Sequence, residues 1–238
     1  MTQNYNFAQA LQIVVDEINQ TLETKSSVRD LTLRRSRELI RLCANSIRAT
    51  HRGDDAEAQT LLQEAREAAA EMLAEARTFA DVYHAGYTQD ALKELAEAHI
   101  TRAIILKDVL PTPQSLNVEP AAYLNGLAEA AGELRRFALD ALRRGDVSQA
   151  EKMLTHMDDI YSVLVTVDFP DAITGGLRRN TDLVRSVLER TRGDVTTAVR
   201  QETMKAALEK FEQRIGLDFE ASAGMTPADD LDTTDSES

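Results

Sequence analysis

Residues 61–79 read LLQEAREAAAEMLAEARTF. In this stretch Leu61, Leu62, Ala65, Ala69, Met72, Leu73, Ala76 and Phe79 recur at spacings of three and four, while Glu67, Glu71 and Glu75 share a different face. That period belongs to an amphipathic α-helix with one buried stripe. The same period extends in both directions over nearly the whole chain, which predicts an all-α fold. Only 10 glycines and 5 prolines occur in 238 residues, too few for a loop-rich β-sandwich. Arg52-Gly53-Asp54, Arg144-Gly145-Asp146 and Arg192-Gly193-Asp194 each set a helix-ending glycine before an aspartate suited to cap the next helix. Asp146-Val147-Ser148-Gln149 has the spacing of a capping box. Pro111, Pro113 and Pro120 mark one connector, and Pro170 with Gly175-Gly176 marks another.

These signals predict seven helices, over residues 5–23, 27–52, 55–84, 88–109, 119–144, 147–166 and 177–215. They form one antiparallel helical domain, 1–216, followed by an acidic tail, 217–238, with too little apolar surface to fold. The single cysteine, Cys43, excludes an internal disulfide and reads as a small buried hydrophobe. The first residues lack the basic and apolar regions of a secretory leader, and no apolar run approaches the ~20 residues of a membrane helix. A cytoplasmic protein with no membrane association is expected.

The net charge is −13, which argues against a surface coated for nucleic acid, but the charge is segregated. Residues 218–238 carry seven acids and no base. Between Arg29 and Arg52 seven arginines face only Asp30 and Glu38. Arg34, Arg37, Arg41, Arg48 and Arg52 fall on one helical stripe beside the apolar positions Ile40, Cys43 and Ile47. Guanidinium forks suit phosphate oxygens, and the row contains no aromatic side chain to stack a base, so it points to phosphate rather than to sequence. Pairing with acidic helices of the same or a neighbouring subunit is the other reading.

Two pairs of carboxylates stand out. Glu94 and Glu97 lie at i, i+3, and Glu129 and Glu133 at i, i+4, on consecutive helices joined by a proline-containing connector. Run antiparallel, the helices can bring all four together, with Gly132 allowing close backbone approach. Four like charges at one place require a cation, and oxygen-only ligation selects Mg²⁺ or Mn²⁺. Such an ion activates water and stabilises charge on a phosphate. Glutamate pairs that merely face water are the other reading. No Glu-x-x-His occurs, which argues against a diiron bundle, and neither His84 nor His99 is assigned as a ligand.

Ser36-Arg37-Glu38-Leu39-Ile40-Arg41, Glu94-Leu95-Ala96-Glu97-Ala98 and above all residues 123–136, YLNGLAEAAGELRR, resemble the translin and translin-associated factor X family. Asp168-Phe169-Pro170-Asp171 with Gly176-Leu177-Arg178-Arg179 resembles the segment that archaeal members carry near the last helix. The resemblance runs from about Arg29 to Phe211. It implies about seven helices in a closed homo-oligomer, an octamer or a hexamer, around a nucleic-acid cavity. In the factor X branch it implies a Mg²⁺-dependent endoribonuclease acting on single-stranded RNA. Its Glu-x-x-Glu falls on Glu94 and Glu97, and its Asp-x-x-x-Glu on Glu129 and Glu133, so Glu129 stands where the family has aspartate. On this reading Glu94, Glu97, Glu129 and Glu133 are metal ligands and catalytic acids, with Mg²⁺ or Mn²⁺ as cofactor. Arg34, Arg37, Arg41, Arg48 and Arg52 line the nucleic-acid surface. The alternatives are a translin-like protein that binds single-stranded RNA or DNA without cutting it, and a helical scaffold that uses its arginines for subunit contacts.

Overall fold

The computed structural model describes residues 6–215. Among them there is helix and no strand: α1 (Phe7–Arg52), α2 (Asp55–Ala76), α3 (Ala80–Tyr83), α4 (Gly86–Leu106), α5 (Pro113–Leu116), α6 (Pro120–Arg143), α7 (Val147–Leu164), α8 (Asp171–Thr174) and α9 (Leu177–Ile215). The anticipated tail, 217–238, lies outside the described residues. No described helix is long and apolar enough to cross a membrane.

Glycines set two helix ends as anticipated. Gly53 (φ 78°) and Gly145 (φ 79°) adopt the left-handed conformation that side chains with a Cβ disfavour. Asp54 and Asp146 then cap α2 and α7 by accepting from the backbone N–H of Glu57 (3.1 Å) and Gln149 (2.9 Å).

Elsewhere local signals misled. Arg192-Gly193-Asp194 lies inside α9 rather than between helices, because Asp194 accepts from Arg135 (2.8 Å) instead of capping and Val195 is buried. The expected break at residues 24–26 does not occur: the hydroxyls of Thr21, Thr24 and Ser27 donate to carbonyls four residues back, so these polar side chains are satisfied within a continuous α1. Conversely, the helix expected over 55–84 is broken by extended backbone at Phe79 (φ −123°, ψ 107°), where neither glycine nor proline announces it. Arg77, at the end of α2, reaches to Asn117 Oδ1 (2.8 Å) and over the Tyr83 ring, holding this turn from outside the helix.

The chain divides into two compact units at Val195. In the first, α1 packs on α2 and α4, and α6 packs on α4 and α7. Leu39 of α1, Met72 of α2, Leu92 and Leu95 of α4, Leu134 of α6 and Met153 and Met157 of α7 are essentially fully buried. Each such side chain contributes about 1.5–3 kcal/mol. Alanines 91, 96, 128, 130 and 131 are also buried, so the helices that carry the carboxylate pairs lie close together. In the second unit, residues 196–215 are helical and expose Met204, Leu208 and Phe211.

Candidate metal centre

The contact between α4 and α6 is fixed at Gly126. A Cβ built there would lie 2.7 Å from the Lys93 carbonyl oxygen and 2.9 Å from the Glu97 nitrogen, closer than any real side chain sits. Gly132, the glycine expected to allow this approach, has no neighbouring atom within 4 Å of such a Cβ. The crossing is therefore six residues nearer the start of α6, level with Lys93 and Glu97.

This register brings three of the four anticipated carboxylates together. Glu94, Glu97 and Glu129 each offer an oxygen within 4.8 Å of the others. Glu97 is the innermost, with 8% of its surface exposed. Burial, with the charges of Glu94, Glu129 and Glu133 behind it, pushes the Glu97 carboxyl up to about 8. Glu94 is also raised, by burial first, against the lowering charge of Lys93.

The fourth acid is not part of this cluster, and the expectation that all four converge is corrected accordingly. Glu133 Oε2 accepts a hydrogen bond from Nε2 of His51 on α1 (2.5 Å), with Arg136 at 3.8 Å. That bond holds the Glu133 carboxyl below the usual carboxylate range despite its burial. Glu133 is still close enough for its charge to act on Glu97. It is an ionised carboxylate at the edge of the cluster, anchored to a different helix.

Two side chains that the spacing of acids did not single out complete the site. The His51 side chain is 4% exposed, and its Nδ1 has no hydrogen-bond partner among the described residues. It sits eight residues after Cys43, about two turns along α1 and ~80° around it toward the arginine stripe, which was the available signal. Lys93 donates from Nζ to Glu129 Oε1 (2.8 Å) and lies 3.5 Å from Glu94 Oε1. Burial alone would lower the Lys93 ammonium, but its bond to Glu129 and the acids around it outweigh that, and the net shift is upward. Cys43 lies beneath the cluster, its thiol pushed up by burial and then by Glu94 and Glu97; it is a buried packing group as anticipated.

Glu129 and Asn180 border two cavities. One, of about 300 Å³, is lined also by Glu97, Gly132 and apolar residues of α9. The other, of about 880 Å³, is lined also by Lys93, Gln89, Asn125 and His84. Asn180 donates to Asn125 Oδ1 (2.8 Å), and Asn125 Nδ2 donates to the carbonyls of Ala121 and Thr174 (2.8 Å each), so this wall is rigidly tied. His99 joins neither cavity; burial, with Arg66 and Arg102 nearby, lowers it to about 4.

The arginine stripe is where the helix period put it. Arg34, Arg37, Arg41, Arg48 and Arg52 are all exposed. At about 100° per residue His51 lies ~80° from Cys43 around α1, and the stripe lies ~120–180° the same way, so the arginines border the side that carries His51. Arg41 pairs with Glu38 and Arg52 with Glu57, and Arg48 donates to Asn45 (2.6 Å). Arg34 and Arg37 make no ion pair among the described residues. Off the stripe, Arg35 is bound to the Glu71 carbonyl (2.7 Å) and reaches Glu75 (3.5 Å), so internal pairing accounts for that residue.

The donor set fits a hard divalent cation: three carboxylates at ligand spacing, one of them buried, with no sulfur or imidazole in the group.

Comparison with known proteins agrees with this architecture. Residues 25–215 match the Translin family. An uncharacterized protein of Methanocaldococcus jannaschii is 32% identical over 215 residues, covering 88% of this chain and 94% of its own. The structure of AfC3PO in complex with duplex RNA is similar at 35% identity, covering 79% of this chain and 97% of that one, with a TM-score of 0.69. The crystal structure of apo-NeC3PO shares the fold at 21% identity, covering 77% of this chain and 96% of that one, with a TM-score of 0.71. With the match running from within α1 to the end of α9, the chain belongs to the Translin family.

Proposed function

We propose that this protein is a divalent-metal-dependent endoribonuclease that works within a homo-oligomer, its ion held by Glu94, Glu97 and Glu129. The observation that carries the reading is the convergence of these three carboxylates, one buried, at the border of two cavities. Mg²⁺ or Mn²⁺ bound there supplies an activated water and stabilises negative charge on the phosphate. The protein does the rest. Glu133, kept ionised by His51 and close enough for its charge to act on Glu97, accepts a proton from the attacking water. Arg34, Arg37, Arg41, Arg48 and Arg52 hold phosphates of the strand in line with the site.

The test is cleavage of labelled single-stranded RNA by the purified protein in Mg²⁺, beside EDTA and a Glu97→Ala, Glu133→Ala double variant. Because the related AfC3PO was captured with duplex RNA, a duplex belongs in the same assay. Cutting that disappears in both controls is expected. Binding without cutting would instead favour a translin-like binding protein, a reading supported by the lysine that already neutralises the cluster and by Glu129, whose extra methylene relative to aspartate shifts a ligand oxygen by about 1 Å. The arginine surface has its own test. Arg37→Glu with Arg48→Glu should weaken oligonucleotide binding at least about tenfold and reduce the salt dependence by roughly one unit of slope per lost phosphate contact. Unchanged affinity and slope would remove these residues from the interface.

A further inference from the structure

The three clustered carboxylates carry their own cation. Lys93 Nζ is 2.8 Å from Glu129 Oε1 and 3.5 Å from Glu94 Oε1, and among the described residues no other cation touches either acid. Lys93 lies one turn before Glu97 on α4, so its side chain shares the face from which Glu97 projects. Its carbonyl is pinned against Gly126, which fixes where that side chain starts. Only 20% of the side chain is exposed, so its charge acts through a medium that screens far less than water.

We propose that Lys93 is a built-in counter-cation of the carboxylate cluster, and that a divalent ion binds there by displacing its ammonium from Glu129 and Glu94. The inference rests on the metal-centre reading above. A divalent ion held by Glu94, Glu97 and Glu129 competes with Lys93 for the Glu129 carboxylate, and a single positive charge within about 4 Å of a double one is strongly repelled. That repulsion favours one cation or the other on the carboxylate. Displaced, the side chain extends into the 880 Å³ cavity that it already lines, beside Gln89, Asn125 and Asn180. In the metal-free protein the ammonium offsets the repulsion between carboxylates of α4 and α6. The consequence is weaker cation binding: the site fills only when the divalent concentration is high enough to expel the lysine.

Mn²⁺ binding to the full-length protein, followed by the paramagnetic resonance of the free ion, tests this without reference to cleavage. Lys93→Gln should bind Mn²⁺ about ten- to a hundredfold tighter than the wild type, the range in which neighbouring groups tune metal affinity. Lys93→Arg, which keeps the charge, should stay near the wild type, and Glu97→Gln should lose binding. Unchanged or weaker binding by Lys93→Gln overturns the proposal, since a lysine that merely props the site would lower affinity when lost. Lys93→Met provides a second neutral side chain, and thermal unfolding checks that each variant is folded. If the wild type and both neutral Lys93 variants alike bind no Mn²⁺, the metal-centre reading falls and takes this inference with it. If all bind equally, only the role of Lys93 falls.

Discussion

Gly126→Ala is expected to destabilise the protein by about 2–3 kcal/mol, read as a lower urea midpoint at unchanged slope. A methyl group at this position meets the Lys93 carbonyl at 2.7 Å, the Ala96 Cβ at 2.9 Å and the Glu97 nitrogen at 2.9 Å. Two of those three are backbone atoms, which move only if the whole of α4 shifts. The roughly 1 kcal/mol that alanine gains over glycine in a helix is too small to compensate. Because α4 carries Glu94 and Glu97 while α6 carries Glu129, the shift that relieves the clash also separates the carboxylates, and Mn²⁺ affinity should fall with stability. Gly132→Ala is the control: no atom lies within 4 Å of the added carbon, so this variant should be as stable as the wild type or up to about 1 kcal/mol more so. Wild-type stability in Gly126→Ala would mean that the two helices do not cross there.

Glu97→Gln should have two large and opposite effects. Metal-dependent cleavage should fall by more than about a hundredfold, beyond what the loss of an outer-sphere partner alone costs. The metal-free protein should become more stable at alkaline pH. The Glu97 carboxyl rises from an ordinary value near 4.5 to about 8 on folding, so the folded state holds its proton more tightly than the unfolded chain. Its contribution to stability is complete below about pH 4.5 and is lost as pH rises through about 8, by at most about 1.4 kcal/mol per pH unit. Glutamine stays neutral throughout, and melting curves from pH 5 to 9 should show a flatter decline in the variant. A divalent ion requires the carboxylate, so its binding to the wild type should release a proton and tighten as pH rises toward 8. Parallel pH profiles for wild type and variant would show that Glu97 is ionised without difficulty, and that the cluster is more open to water than its burial indicates.

Much of this molecule is legible one helix at a time. The three-and-four spacing of apolar residues in 61–79 sets the all-α class, because the period is a property of a single helix. Gly53 and Gly145 end their helices as read, since a left-handed residue is a local demand of the backbone. The glutamate pairs share a face because i, i+3 and i, i+4 always do, and the stretch 123–136 carries the family resemblance that residues 25–215 confirm as membership. What the chain alone left open concerns relations between helices. Gly132 is the glycine read for a close approach, yet Gly126 makes it, because the choice depends on how far α4 slides along α6. That slide also decides that Glu129 joins Glu94 and Glu97 while Glu133, one turn on, passes to His51. It brings Lys93 within hydrogen-bond reach of a carboxylate 36 residues away. Gly193 stays helical for a similar reason: Asp194 is held by Arg135 of α6, a partner no local pattern reveals. Periodicity fixes the direction in which each side chain points from its own axis. Which side chains meet is fixed by the axial offset between helices, and that offset is set by the packing of buried side chains along the whole contact.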